Sequence, residues 1–356
     1  MEVNDMAAWL ARAAQARDAG DAAQATRLYV EAVARWPQAA EPHHHLAGLH
    51  RAAGRLDLAE AEYRRTLALA PGAAATARVL GTLLLSQGRF AEGFALFEAR
   101  HELPTMAKPA LPFPEWRGEA LGGKRLLIWP EQGFGDQIQF ARFAPVLGAM
   151  GADVTLVCAP ALHRLFEASL GVRTIAAAGA VEFPDPDVWV MAGSLAARLG
   201  VTPDTIPAAP YLHAIGPSPP LGEGLKLGLM THGNPAHDND AHRSLGAEDA
   251  QALRDLLPPV VELDPAATGA RDFADTAALV QALDLVISVD TAVAHLAGAM
   301  GKPCWVLLPA IDTDWRWLRD RSDSPWYPSM RLYRQPPGEG WAPTLARLAA
   351  DLAPRL

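Results

Sequence analysis

The chain is poor in cysteine, long apolar runs and positive charge, and each scarcity removes a class of protein. Only Cys158 and Cys304 occur in 356 residues. Both lie inside apolar runs, where a free thiol behaves as a small hydrophobe. A disulfide-stapled scaffold is excluded, and a reducing compartment is expected. No run approaches the roughly 18 apolar residues that a membrane-spanning helix needs, so no membrane span is expected. A formal net charge of −9 argues against nucleic acid or an anionic membrane as the main partner. The opening segment, MEVNDMAAWLARAAQARDAG, is amphipathic and acidic at its start, unlike a signal peptide. The expectation is a cytoplasmic protein. Half of the residues are apolar and 20% are charged, which suits a globular protein of about two or three domains.

What is present begins with a repeat. Gly20, Gly54 and Gly88 are spaced 34 residues apart, as are Tyr29, Tyr63 and Phe97, and also Ala25, Ala59 and Gly93. Pro37 and Pro71 keep the spacing, and Pro104 falls one residue short. Glycine belongs where a helix hairpin must turn, because it adopts positive φ at little cost. The aromatic belongs between the two helices, the small residue lets them approach, and proline ends the second helix. Residues 1–106 resemble three tetratricopeptide repeats, with Trp9 at the place the first unit expects. They serve either as a concave docking surface for a protein or as a structural cap. His43-His44-His45 face different sides of a helix, which speaks against a metal site and for a solvated helix start.

After a connector rich in proline and glycine (residues 103–123), strands alternate with helices. Strands are expected at 124–129, 153–158, 187–191, 225–230, 260–263, 284–289 and 304–308, with helices at 137–147, 162–170, 276–283 and 341–352. That alternation predicts parallel, doubly wound sheets. The Pro/Gly-rich stretch 213–222 reads as a hinge between two halves.

Three loops carry chemistry. Gly133-Phe-Gly-Asp136 lacks the third glycine of a dinucleotide fingerprint, Ile138 standing there, and it has no Gly-Lys-Ser/Thr. Its glycines admit close backbone approach, and Asp136 is either a helix cap or a general base. The segment 231–245 is long and polar, with Asn234, Arg243 and Ser244; it is either a solvated loop or a phosphate clamp. His232, His237 and His242 form no coherent zinc set. Asp290-Thr291 ends an apolar run at a helix start, with His295 one turn on. Ligands bind at the carboxyl ends of strands in open α/β sheets, and helix N-termini attract phosphate, so this stretch points to a phosphorylated ligand; the alternative is a plain cap and a core histidine. The aromatics of 312–318 and 324–328 are either packing or a platform for a base or sugar.

Gly133–Asp136 together with Val289-Asp-Thr-Ala-Val-Ala-His-Leu-Ala-Gly-Ala-Met-Gly-Lys-Pro303 resembles the bacterial heptosyltransferase-type glycosyltransferases of family 9. With its repeats, the whole chain is similar to bacterial tetratricopeptide-repeat proteins with a C-terminal glycosyltransferase domain. Their arrangement resembles that of O-GlcNAc transferase, and they include flagellin glycosyltransferases. The resemblance implies a GT-B fold of two Rossmann-like domains and metal-independent, inverting transfer from a nucleotide-sugar, used as co-substrate with no cofactor. It implies Asp136 as catalytic base. It places Gly133, Gly135, Gln137, Asn234, Arg243, Ser244, Asp290, Thr291 and His295 at the nucleotide-sugar. Two departures from the family pattern stand out: Ala292 stands where glycine is usual, and Asn234-Pro235 replaces a hydroxyl and lysine cluster. The expected organisation is helical repeats over 1–106, an acceptor-side half over 107–216, a donor-side half over 217–335 and a final helix over 336–356. The expected acceptor is Ser or Thr of a protein such as flagellin, docked on the repeats. The alternatives are a non-catalytic scaffold or a lipopolysaccharide-type heptosyltransferase.

Overall fold

The structure, a computed structural model, describes residues 2–237 and 239–355. Asp238, within the expected donor loop, lies outside the described residues. The chain divides into two compact units, one ending at Lys108 and the other starting at Pro109.

The first unit is three helix hairpins: Glu2–Asp18 with Ala22–Arg35, Ala40–Ala52 with Leu56–Leu69, and Ala74–Ser86 with Phe90–Phe97. Gly20, Gly54 and Gly88 turn the hairpins with φ of 81°, 71° and 78°, the left-handed region that glycine occupies without a Cβ penalty. Tyr29, Tyr63 and Phe97 are buried between helices. Ala25 and Ala59 are fully buried. At Gly93 an added Cβ would lie 2.9 Å from the Leu85 nitrogen and 3.0 Å from the Gly81 oxygen, so the last hairpin packs backbone to backbone. The histidine triplet is not a solvated helix start. His43 meets Glu62 at 2.5 Å, His44 meets Thr76 at 2.8 Å, and His45 stacks on Tyr29. Each ring finds a different neighbour because consecutive helical positions point about 100° apart.

The second unit holds two all-parallel sheets, as the alternation predicts. β1 (Arg125–Trp129), β2 (Asp153–Cys158), β3 (Arg173–Ala176) and β4 (Val188–Met191) lie in the order β3-β2-β1-β4. β5 (Leu227–Met230), β6 (Val260–Glu262), β7 (Leu285–Val289), β8 (Cys304–Leu308) and β9 (Met330–Arg334) lie in the order β6-β5-β7-β8-β9. Every residue of β7 and β8 is buried, as expected of strands covered on both faces. The strand order reverses beside β1 in the first sheet and beside β5 in the second. Crevices for ligands open at such points, outside the carboxyl ends of the strands. The Gly133–Asp136 turn follows β1, and the polar segment 231–245 and Asp290-Thr291 follow β5 and β7.

Some expectations need correction. The single helix expected over 137–147 is two, Phe134–Ala141 and Phe143–Ala149. Pro145 has no N–H for the Ala141 carbonyl, so the ladder breaks at Arg142. β3 and β9 were not anticipated. β3 is a short edge strand, and β9 alternates Met, Arg, Leu, Tyr and Arg without a clear apolar run. The segment 231–245 contains a helical turn, Asp240–Arg243. A longer helix, Ala247–Leu256, follows it.

Candidate active site

Two helix N-termini meet at the site, one from each sheet. Gly133 caps the helix Phe134–Ala141. Asp136 is therefore not the cap residue itself; it stands at the third helical position and accepts the Gly133 N–H through Oδ2 at 2.9 Å. Thr291 caps the helix Ala292–Ala299, two residues past the end of β7. The helices approach so closely that a Cβ on Gly135 would lie 2.8 Å from His295 Cδ2 and 3.7 Å from the Ala292 Cα. Glycine at 135 is thus required by space, not by backbone angle.

Arg316 joins the parts. It lies in the 3₁₀ turn Trp315–Trp317 after β8 and keeps only 6% of its side chain exposed. Its Nη1 donates to both oxygens of Asp314 at 3.0 and 2.9 Å. Its Nη2 donates to Oδ1 of Asp136. Its Nε–H is buried with no hydrogen-bond partner among the described residues. The guanidinium lies over the rings of Trp315 and Phe140. Arg243 donates to the Asp290 carbonyl at 3.0 Å and to Asp240 at 3.1 Å.

The charges constrain one another. Burial raises the Asp136 carboxyl above its ordinary value; Arg316 opposes this and Asp314 adds to it. Asp136 keeps 19% of its side-chain surface open, so the group is deeply surrounded without being sealed. Burial and then Asp314 push Asp290 up to about 7, against the Trp317 indole, Arg243 and Arg316. Burial works against the Arg316 charge, but Asp314 and Asp136 raise its pKa nonetheless. Burial, reinforced by Arg316, Arg142 and Arg243, holds His295 well below the usual imidazole range. The ring is neutral at pH 7, faces the Tyr327 hydroxyl through Nδ1 at 2.9 Å and lies against Trp317.

Asp136, Arg243, Asp290, Thr291 and His295 thus come together, with Gly133 and Gly135 forming the turn between them. Three expected contacts are engaged elsewhere. Gln137 turns back into the first sheet, its Oε1 accepting the Ala159 N–H at 2.8 Å. Asn234 closes a local turn by accepting the Ala236 N–H at 3.0 Å. The Ser244 hydroxyl accepts the Gly233 N–H at 2.8 Å. The Thr291 hydroxyl meets Ser288 at 3.1 Å. Trp317, Trp326 and Tyr327 are fully buried, so these aromatics are packing. Arg316 and Asp314 were missed, because Asp-Trp-Arg-Trp draws attention to its rings. An arginine flanked by two tryptophans, with aspartate two residues earlier, was the available signal.

A second arginine fastens the two sheets' elements together. Arg142, at the helix break, donates from Nε to the Gln139 carbonyl and from Nη1 to the Trp326 carbonyl, both at 2.8 Å. Tyr211, Trp326 and Tyr327 enclose its guanidinium. Elsewhere, exposed Phe134 meets Phe273 edge-on at 5.3 Å, and Arg164 pairs with Asp272 at 2.8 Å.

Residues 239–307 match the sequence model of glycosyltransferase family 9 (heptosyltransferase). That stretch contains Arg243, Ser244, Asp290, Thr291 and His295, and excludes Asp136 and Arg316. The chain is 29% identical over 399 residues to Protein FlbA of Caulobacter vibrioides, an alignment covering 94% of this chain and 64% of that protein. The chain therefore spans less than two thirds of that relative. Among solved structures it is similar to the iron-containing dodecameric glycosyltransferase TibC of enterotoxigenic E. coli, at 14% identity over 65% of this chain and 74% of that one, with a TM-score of 0.41. It is also similar to a family 9 glycosyltransferase of Veillonella parvula, at 14% identity over 62% and 88% of the two chains, again with a TM-score of 0.41. Among the described residues no group of three or more His, Cys, Asp or Glu is arranged to hold a metal ion. No described helix is long and apolar enough to cross a membrane.

Proposed function

We propose that the protein is a GT-B glycosyltransferase that moves a sugar from a nucleotide-sugar to an acceptor hydroxyl with inversion. The observation that carries the reading is the meeting of Asp136, after β1 of one sheet, with Asp290, Thr291 and His295, after β7 of the other. The family 9 match over the second of these elements supports it. Asp136 takes the acceptor's proton. The acceptor oxygen bonds to the anomeric carbon while the bond to the donor phosphate breaks, and the electron pair leaves with the nucleoside diphosphate. Thr291 and the backbone N–H groups of its helix receive that diphosphate. Neutral His295 and Tyr327 shape the floor. The repeats offer a surface for a protein acceptor, with Ser or Thr of a partner such as flagellin receiving the sugar. Calorimetry with UDP-, ADP-, GDP- and CMP-sugars tests the reading. Saturable binding of one of them is expected, and binding of none favours a scaffold instead.

A further inference from the structure

The site holds more carboxylate than an anion-binding site needs. Asp136, Asp290 and Asp314 gather about one buried arginine, where two helix N-termini would otherwise favour phosphate. Resting on the glycosyltransferase reading above, we propose that the donor's diphosphate and the carboxylate of Asp136 compete for Arg316, so that donor binding takes the guanidinium and frees the base.

The hydrogen bonding of Arg316 supports the exchange. Asp314 occupies Nη1 with both its oxygens. Asp136 holds Nη2 with one oxygen, its other being tied to the Gly133 N–H. The buried Nε–H stays unpartnered. A guanidinium edge of Nε and Nη2 is a fork made for two oxygens, and phosphate engages it bidentately. Asp136 fills half of that fork; a diphosphate oxygen pair fills all of it. Asp314 remains as the anchor that keeps Arg316 in place during the exchange.

The backbone on both sides of the pair is strained. The nonglycine residues with positive φ among those described are Gln132, Asp312, Leu318 and Asp320, at 62°, 54°, 51° and 55°. Gln132 precedes the helix that carries Asp136, and the other three flank Arg316 in sequence. Such strain gathers where a structure holds groups ready for a ligand. The consequence is an order of events: an acceptor bound before the donor meets a base still held by its counter-ion.

Calorimetry on the full chain with ADP, UDP, GDP and inorganic pyrophosphate tests the exchange. Asp136→Asn removes the competitor's charge at constant shape, and Arg316→Lys removes the fork. Couplings of this kind typically change affinity by about 5–150-fold, so D136N is expected to bind the preferred diphosphate at least about tenfold more tightly and R316K at least about tenfold more weakly. Thermal melts establish that each variant folds, and Asp136→Ser replaces D136N should that variant melt early. Unchanged or weaker binding in D136N, with wild type binding normally, overturns the exchange and leaves the transferase reading intact. Binding of no diphosphate or nucleotide-sugar by either protein overturns both.

Discussion

Asp136 and Arg316 stand 180 residues apart in the chain and form an ion pair that joins the turn after β1 to the loop after β8. The pair is nearly enclosed, so each charge depends on the other. Removing Arg316 leaves Asp136 an uncompensated charge, a loss of about 3–5 kcal/mol in comparable buried cases, whereas removing Asp136 leaves Arg316 paired with Asp314. The same geometry makes Asp136 the only carboxylate of the cluster tied to a glycine turn, which fixes its direction.

If Asp136 is the base, Asp136→Ala should lower turnover at saturating donor by at least about a hundredfold, the lower end of what general-base catalysis contributes. Donor binding should survive. Steady-state kinetics beside calorimetry separates these effects, and normal turnover would remove Asp136 from the mechanism.

Gly135 is limited by space. Its added Cβ would press on His295 Cδ2 at 2.8 Å, and that ring cannot yield, being held by Tyr327 and Trp317. Gly135→Ala should destabilise the protein by about 1–3 kcal/mol, the usual cost of overpacking, seen as a lower urea midpoint. An unchanged midpoint would mean that the helix ends separate freely.

How much of this was legible beforehand follows from the kind of signal each part leaves. The repeats were plain because Gly20, Gly54 and Gly88 must turn, and a 34-residue phase records that need three times over. The parallel sheets were plain from their apolar runs, and the motifs after β1 and β7 from their polar residues at strand ends. Arg316 was hidden because its role comes from Asp136, a partner brought close only by folding. β9 was hidden because its arginines interrupt the apolar pattern. The fate of Gln137 depended on Ala159, a contact between neighbouring βα turns that no local spacing records.

Asp290 gives the site a pH signature. Its folded pKa, about 7, lies above the ordinary aspartate value of about 3.9. The folded protein therefore binds a proton that the unfolded chain has released. Between these values stability falls as pH rises, since the native state holds more protons. Asp290→Asn should flatten that fall between about pH 4 and 7. Urea melts of both proteins across this range give the comparison, and parallel curves would show that Asp290 ionises freely.

The repeats and the chemistry should separate. A chain lacking residues 1–106 is expected to keep nucleotide-sugar binding and lose transfer to protein. Retained transfer to protein would assign the repeats to assembly.

Arg142 gives the contact between the two sheets a heel and a toe. At the heel a buried guanidinium satisfies carbonyls from both sides within a ring of aromatics, and pulling it apart would strand several polar groups at about 1–3 kcal/mol each. At the toe, exposed Phe134 meets Phe273 and exposed Arg164 pairs with half-buried Asp272; an ion pair near the surface is worth about 0–1 kcal/mol. A bivalve is the apt comparison: the ligament is at Arg142, and the lips are at Phe134 and Arg164.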